Sequence, residues 1–307
     1  MDAIMSLSSV RSVTTWSIPL VLLELGLVFA WSSGFVGARF ALDQAPPMLV
    51  VFWRSLVVLA VLAPFAWQPL LRAPPRTLWH TAGSGLLAMA GYLAGVVQGI
   101  ALGVPAGLAA LLADLLPLGV AVLSTCLPGR RLARGTWAGL ALGLGGVLLV
   151  TADVLSLGWA PWWAYGLPLL GMLSLAIATL WQKQSRAAAS LGLLPTLWMH
   201  CFASSLVFAA LAAMEGGLSP MPTSGFAISV LWTALLSSLG GYGLYWACLK
   251  RSSATRVASV LYLSPAVTLG WAWAMFGDPL SWQIALGTLV SLGGVWLVIR
   301  AEARVHV

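Results

Sequence analysis

The chain has 307 residues, of which 60% are hydrophobic and only 7% charged, with a mean hydropathy of +0.96. A soluble domain carries about 25% charged residues, so this chain cannot cover a water-facing surface, and the hydrocarbon of a bilayer is the solvent that fits it. The formal charge of +7 comes from few, scattered basic residues and does not imply a nucleic-acid partner. Cys126, Cys201 and Cys248 lie in or beside apolar segments without CxxC spacing, which points to neither a zinc site nor a disulfide framework.

In chain order, Arg11 precedes an apolar stretch over 18–38. That length, about 20 residues, spans a bilayer, and no small-x-small cleavage site follows a shorter apolar region. The stretch reads as an uncleaved first helix. Further apolar segments follow over 48–68, 77–99, 104–126, 136–152, 162–182, 193–214, 225–248, 255–276 and 281–299. The connectors are short and marked by Pro and Gly, as at Pro46-Pro47, Pro74-Pro75, Pro128-Gly129, Gly158 to Pro161, Ser219 to Ser224 and Gly277-Asp278-Pro279. The reading is all-α, integral to the membrane, with ten transmembrane helices.

Charge tests that count. With a cytoplasmic N-terminus, the inner connectors carry Arg72, Arg76, Arg130, Arg131, Arg134, Lys183, Arg186, Lys250, Arg251 and Arg256, and the termini Arg11, Arg300 and Arg304. Only Arg39 and Arg54 of the 15 basic residues fall elsewhere. The outer connectors hold Asp43, Asp153, Glu215 and Asp278. Positive charge is thus retained inside, and both termini are expected to be cytoplasmic.

The sequence also aligns with itself at an offset of 148 residues. Pro47 falls on Pro195, Pro117 on Pro265, Gly129 on Gly277, Gly139 on Gly287, and Gly145-Gly146-Val147 on Gly293-Gly294-Val295. Two five-helix repeats are expected, 1–152 and 153–307. An odd number of helices per repeat inverts the second half, the arrangement that underlies alternating access in many transporters. The basic Arg130-Arg131 connector opposite the acidic Asp278 connector fits that inversion.

Trp31-Ser-Ser-Gly-Phe-Val-Gly-Ala-Arg39, Pro46-Pro47 followed by Arg54, Leu127-Pro-Gly-Arg-Arg-Leu132, Phe276-Gly-Asp-Pro-Leu280 and Ser252-Ser-Ala-Thr-Arg-Val-Ala-Ser-Val-Leu-Tyr-Leu-Ser-Pro265 together resemble the drug/metabolite transporter superfamily, EamA type. The resemblance covers nearly the whole chain. It implies ten helices, a bacterial-type inner-membrane location, inverted repeats and export of small metabolites, with YddG-like amino-acid exporters as the nearest characterised group. The family usually has Glu after the Gly that ends helices four and nine; here Arg130 and Asp278 stand there.

Ionisable groups inside a bilayer are costly, about 2.5–3.5 kcal/mol each at a helix centre, and mark functional sites. Asp114 stands three residues before Pro117, where the missing N–H of proline frees a carbonyl. It can receive an ammonium group or a proton, or make a structural pair with Arg54 or a polar neighbour. Its repeat partner is Tyr262, three residues before Pro265. Glu24, Tyr92, Trp31, Gln98, Ser259, Tyr242, Tyr245 and Trp181 complete the expected substrate-binding set, with Ser264 and Thr179 nearby. Arg54 reads as a packing or loop-anchoring arginine near the outer interface that could orient a carboxylate, His200 as a hydrogen-bonded core histidine, and His80 as interfacial. Trp159, Trp162, Trp163 and Trp282 suit the membrane interfaces. Gly139, Gly143, Gly287 and Ser291 have small-xxx-small spacing for close helix contact, within one chain or between chains.

Two acids, aromatics and hydroxyls suit an ammonium group beside an apolar side chain. The expected function is export of small amphipathic metabolites, amino acids foremost, with proton coupling chemically available. The alternative is export of cationic drugs or xenobiotics. With no H-E-x-x-H, G-x-S-x-G or metal-spaced cluster in the sequence, an enzyme is not expected, and neither is a cofactor.

Overall fold

The structure is a computed structural model that describes residues 18–42, 44–129, 131–152, 159–278 and 280–304. Among these residues ten helices are long and apolar enough to cross a membrane, and no strand occurs. They are α1 (Leu20–Ala41), α2 (Pro47–Arg72), α3 (Pro75–Ala101), α4 (Leu108–Thr125), α5 (Arg134–Thr151), α6 (Trp162–Gln184), α7 (Leu193–Glu215), α8 (Ser224–Arg251), α9 (Ala254–Phe276) and α10 (Trp282–Ala303). The helices overrun the apolar segments mainly at the basic end, where α2, α8 and α10 continue to or past Arg72, Arg251 and Arg300. Long cationic side chains can reach out of the hydrocarbon from such positions. The expected roles of Arg11, Asp43, Arg130, Asp153, Gly158 and Pro279 lie outside the described residues.

Packing follows the small residues. α5 lies along α10. A Cβ at Gly139 would stand 2.7 Å from Gly294 O, and one at Gly287 2.7 Å from Gly146 O, so only hydrogen fits at this crossing. The small-xxx-small contact is therefore made within one chain. α2 packs on α7, α1 on α8 and α9, α3 on α6, and α4 on α6 and α9. Exchanging each helix for the one five places along maps α1–α8 onto α6–α3, and α1–α9 onto α6–α4.

Helix irregularities obey the same spacing. α3 contains a π-helical segment at Leu86–Gly91, and α8 one at Thr233–Tyr242; adding 148 to the first gives 234–239, inside the second. α4 breaks at Asp114–Leu115, where both residues have ψ near zero. α9 tightens to a 3-10 turn at Leu261–Leu263, 148 residues from 113–115. Each break precedes a proline, Pro117 or Pro265, whose ring and missing N–H prevent the α-helical ladder from running through. π segments similarly interrupt the ladder and often occur at functional sites.

The apolar faces left outside suit lipid. Val21, Leu22, Leu25 and Phe29 on α1, and Leu286, Leu289, Leu292 and Trp296 on α10, are exposed. Trp159, Trp162 and Trp282 lie exposed at the ends of the spans, where indole rings favour the membrane–water boundary.

Candidate functional site

The centre of the bundle is aromatic. Trp31, on α1, has its ring centroid 5.0 Å from Tyr242, 5.5 Å from Tyr245 and 6.0 Å from Tyr92. These four expected residues come from α1, α3 and α8, and all are buried. The π segments position two of them. Tyr92 follows the segment of α3 directly, Tyr242 closes that of α8, and the Tyr242 hydroxyl donates to the Ala88 carbonyl at 3.2 Å, joining the two irregular turns. The Tyr245 hydroxyl meets Thr179 Oγ1 at 2.7 Å. Thr179 donates its own proton to Leu175 O, so Tyr245 is the donor in that pair.

Asp114 sits at the break of α4, buried, its backbone N–H satisfied by Ala110 O. Its carboxylate makes no hydrogen bond or ion pair among the described residues. It lies close enough to act through its charge on both Tyr92 and Tyr262. Tyr262 is buried at the turn of α9, its ring against Gly143 and its hydroxyl without a partner among the described residues. Asp114 and Tyr262, expected as repeat partners, are within electrostatic reach of each other, and no ion pair between Asp114 and Arg54 forms among the described residues. Ser32 bridges α1 to α9 beside this level, donating to Ser264 O at 3.1 Å.

Other expected residues lie apart from this centre. Glu24 takes both Nε and Nη2 of Arg256, at 2.7 and 3.0 Å, and so fastens α1 to the start of α9. Ser259 donates to Arg256 O in its own helix. Trp181 donates to His80 Nδ1 at 3.0 Å and lines a hollow of about 730 Å³ with Thr77, Arg76 and Arg186 at the basic end. Gln98 is half-buried on α3, six residues past Tyr92. His200 is fully buried, its Nε2 3.2 Å from Ser84 Oγ and its ring edge-on to Trp246.

Arg54, expected near the outer interface as a packing or loop-anchoring arginine, is enclosed by the bundle. It is 5% exposed, and its Nε and Nη2 find no partner among the described residues. Seven residues into α2 is one turn short of the centre by sequence, yet the side chain is buried, on a helix that packs against α7 and the π segment of α8. A tally of turns gives depth along a helix and not which neighbours close over it. Arg39, the exception to the positive-inside pattern, is answered locally: it pairs with Asp278 and lies 4.2 Å from the Phe276 ring.

The model of the EamA-like transporter family matches the sequence twice, over residues 18–152 and 162–300. The chain belongs to the EamA-like transporter family. It is similar to the uncharacterized inner membrane transporter YedA of Escherichia coli K12, 26% identical over 89% of each chain. A probable amino-acid metabolite efflux pump of Salmonella typhimurium is 28% identical, covering 92% of this chain and 97% of its own. A solved crystal structure 20% identical superposes with a TM-score of 0.75 over 94% of this chain and 99% of its own, which supports the fold. This EamA-like protein is therefore a multi-pass inner-membrane transporter.

Proposed function

We propose that this transporter exports small amphipathic metabolites, amino acids foremost, by alternating access about the Trp31–Tyr92–Tyr242–Tyr245 cluster and Asp114. One observation carries the reading: a buried carboxyl group, at a helix break and within electrostatic reach of two tyrosines, that no hydrogen bond or ion pair among the described residues engages. An ammonium group is its natural complement, and tilted aromatic faces next to it receive an apolar or aromatic side chain. A relative described as a probable amino-acid metabolite efflux pump lends support.

The mechanism follows from two inverted halves, 1–152 and 153–307, with the basic end cytoplasmic. The shared 148-residue spacing of π segments and breaks, and the packing pairs preserved by exchange of halves, support it. Rocking one half against the other would open the centre first to one side and then to the other. Asp114 can equally carry a proton. Flux at two imposed pH gradients separates proton-coupled export, whose rate follows the gradient, from facilitated export, whose rate does not.

The test is efflux of labelled amino acids from liposomes holding the purified protein. Asp114→Asn should lower flux about tenfold or more, the effect of removing one charge-assisted hydrogen bond of 1.5–3 kcal/mol. Normal flux by a folded Asp114→Asn protein sinks the reading. Hydrophobic cations that outcompete amino acids would favour drug export instead.

A further inference from the structure

Among the described residues Arg54 is a cation without a counterpart. Every other Lys or Arg whose contacts are described near the bundle ends finds oxygen or an aromatic face: Arg256 meets Glu24, Arg39 meets Asp278, Lys183 donates to Leu249 O and Ser252 O, and Arg251 to Ile18 O. Arg54 lies among buried Val51, Ser55 and Val58 on α2, and the one hydroxyl beside it on the helix, that of Ser55, donates to Val51 O. Among the described residues, the titratable groups within electrostatic reach of it are Tyr242, Cys201 and Tyr92, with no carboxylate among them. A guanidinium is a fixed fork of five N–H donors that keeps its proton, and in a membrane interior such a group marks a site.

Two further observations give that site a shape. α2 packs against the π segment of α8, where Ser238 Oγ is likewise buried without a partner among the described residues. And Tyr92 is within electrostatic reach of both Arg54 and Asp114, a guanidinium and a carboxyl group that make no ion pair with each other among the described residues. A purely cationic substrate would satisfy Asp114 and leave the guanidinium unmet and repelling it. A substrate with both charges satisfies both. We propose that Arg54 binds the carboxylate of the transported molecule, so that the substrate class is the zwitterionic amino acids and excludes amines and cationic drugs. The assignment rests on the exporter reading and narrows it.

The experiment compares a panel of neutral amino acids with the amines that lack only the carboxylate, phenylalanine against phenylethylamine for instance, in liposomes holding wild-type, Arg54→Met and Arg54→Lys protein. Wild type should move at least one amino acid and discriminate against its amine by about tenfold or more. Arg54→Met should lose amino-acid flux by a similar factor. Without substrate its thermal midpoint should equal or exceed that of wild type, because an unpaired buried charge has been replaced by a thioether chain. The upward shift of that midpoint on adding the amino acid should vanish. Arg54→Lys, which keeps the charge but not the fork, should fall between. Equal wild-type flux of amine and amino acid, or a clear loss of stability in Arg54→Met, overturns the assignment while leaving the exporter reading in place. Failure of every amino acid in the wild type overturns both.

Discussion

Ionisable side chains in this bundle divide by whether they have found partners. Glu24 is engaged with Arg256 through two hydrogen bonds, whereas neither Asp114 nor Arg54 has a partner among the described residues. The first is therefore expected to act on the fold. Arg256→Gln should leave Glu24 buried and unpaired and lower the thermal midpoint by several degrees, because stranding a buried charge costs about 3–5 kcal/mol; the exchange Glu24→Arg with Arg256→Glu should recover much of the loss. A single variant as stable as wild type would make the pair ornamental. Most of the site was legible at this scale, because Asp114 and the mid-helix tyrosines are conspicuous in an apolar chain. Two placements were not. Glu24 and Arg256 stand 232 residues apart, and nothing local announces their pairing. Trp181 faces the hollow at the basic end with His80, since an indole serves equally well in a core and at an interface.

At the scale of elements, helix count and span were readable from hydropathy and charge, because lipid demands about 20 apolar residues per crossing whatever their order. Which helices touch was readable only for the glycine-spaced pair. There the geometry makes a sharp contrast. A Cβ at Gly294 would lie 2.6 Å from Gly139 O, whereas one at Gly145, on the same α5, would meet nothing within 4 Å. Gly294→Val should reduce the yield of folded protein severely. Gly145→Ala should be neutral or stabilising by up to about 1 kcal/mol, since alanine is the better helix former. Similar melting of the two variants would contradict the tight α5–α10 seam. The π segments had no local signal: Leu86–Gly91 reads as ordinary apolar helix, and a register shift that depends on tertiary packing leaves no periodicity of its own.

For the whole molecule, the centre is closed. Trp31, Tyr242, Tyr245, Tyr262, Arg54 and Asp114 are all buried together. If transport proceeds by rocking, that burial is temporary, and a native thiol can report it. Cys201 is buried in the same core cluster as Trp31, Tyr92, Tyr242 and Tyr245, while Cys126 is exposed. In a Cys126→Ser, Cys248→Ser background, a small maleimide should modify Cys201 slowly, and a transported amino acid should change that rate several-fold in the wild type but not in Asp114→Asn. Labelling that is immediate and indifferent to substrate would mean the centre is open at rest.

One feature of α1 reaches beyond the mature structure. Its two ends are fastened by Glu24 to Arg256 and by Arg39 to Asp278, contacts that span 232 and 239 residues. A helix is thus tied to partners made more than two hundred residues later. Throughout translation Arg39 has left the ribosome without the acid that answers it, and Glu24 waits as long for its base. α1 can enter the bilayer early, but it cannot take its final seat until Arg256 and Asp278 have been made. A chain terminated before them would present an unclaimed acid and base for quality control to recognise.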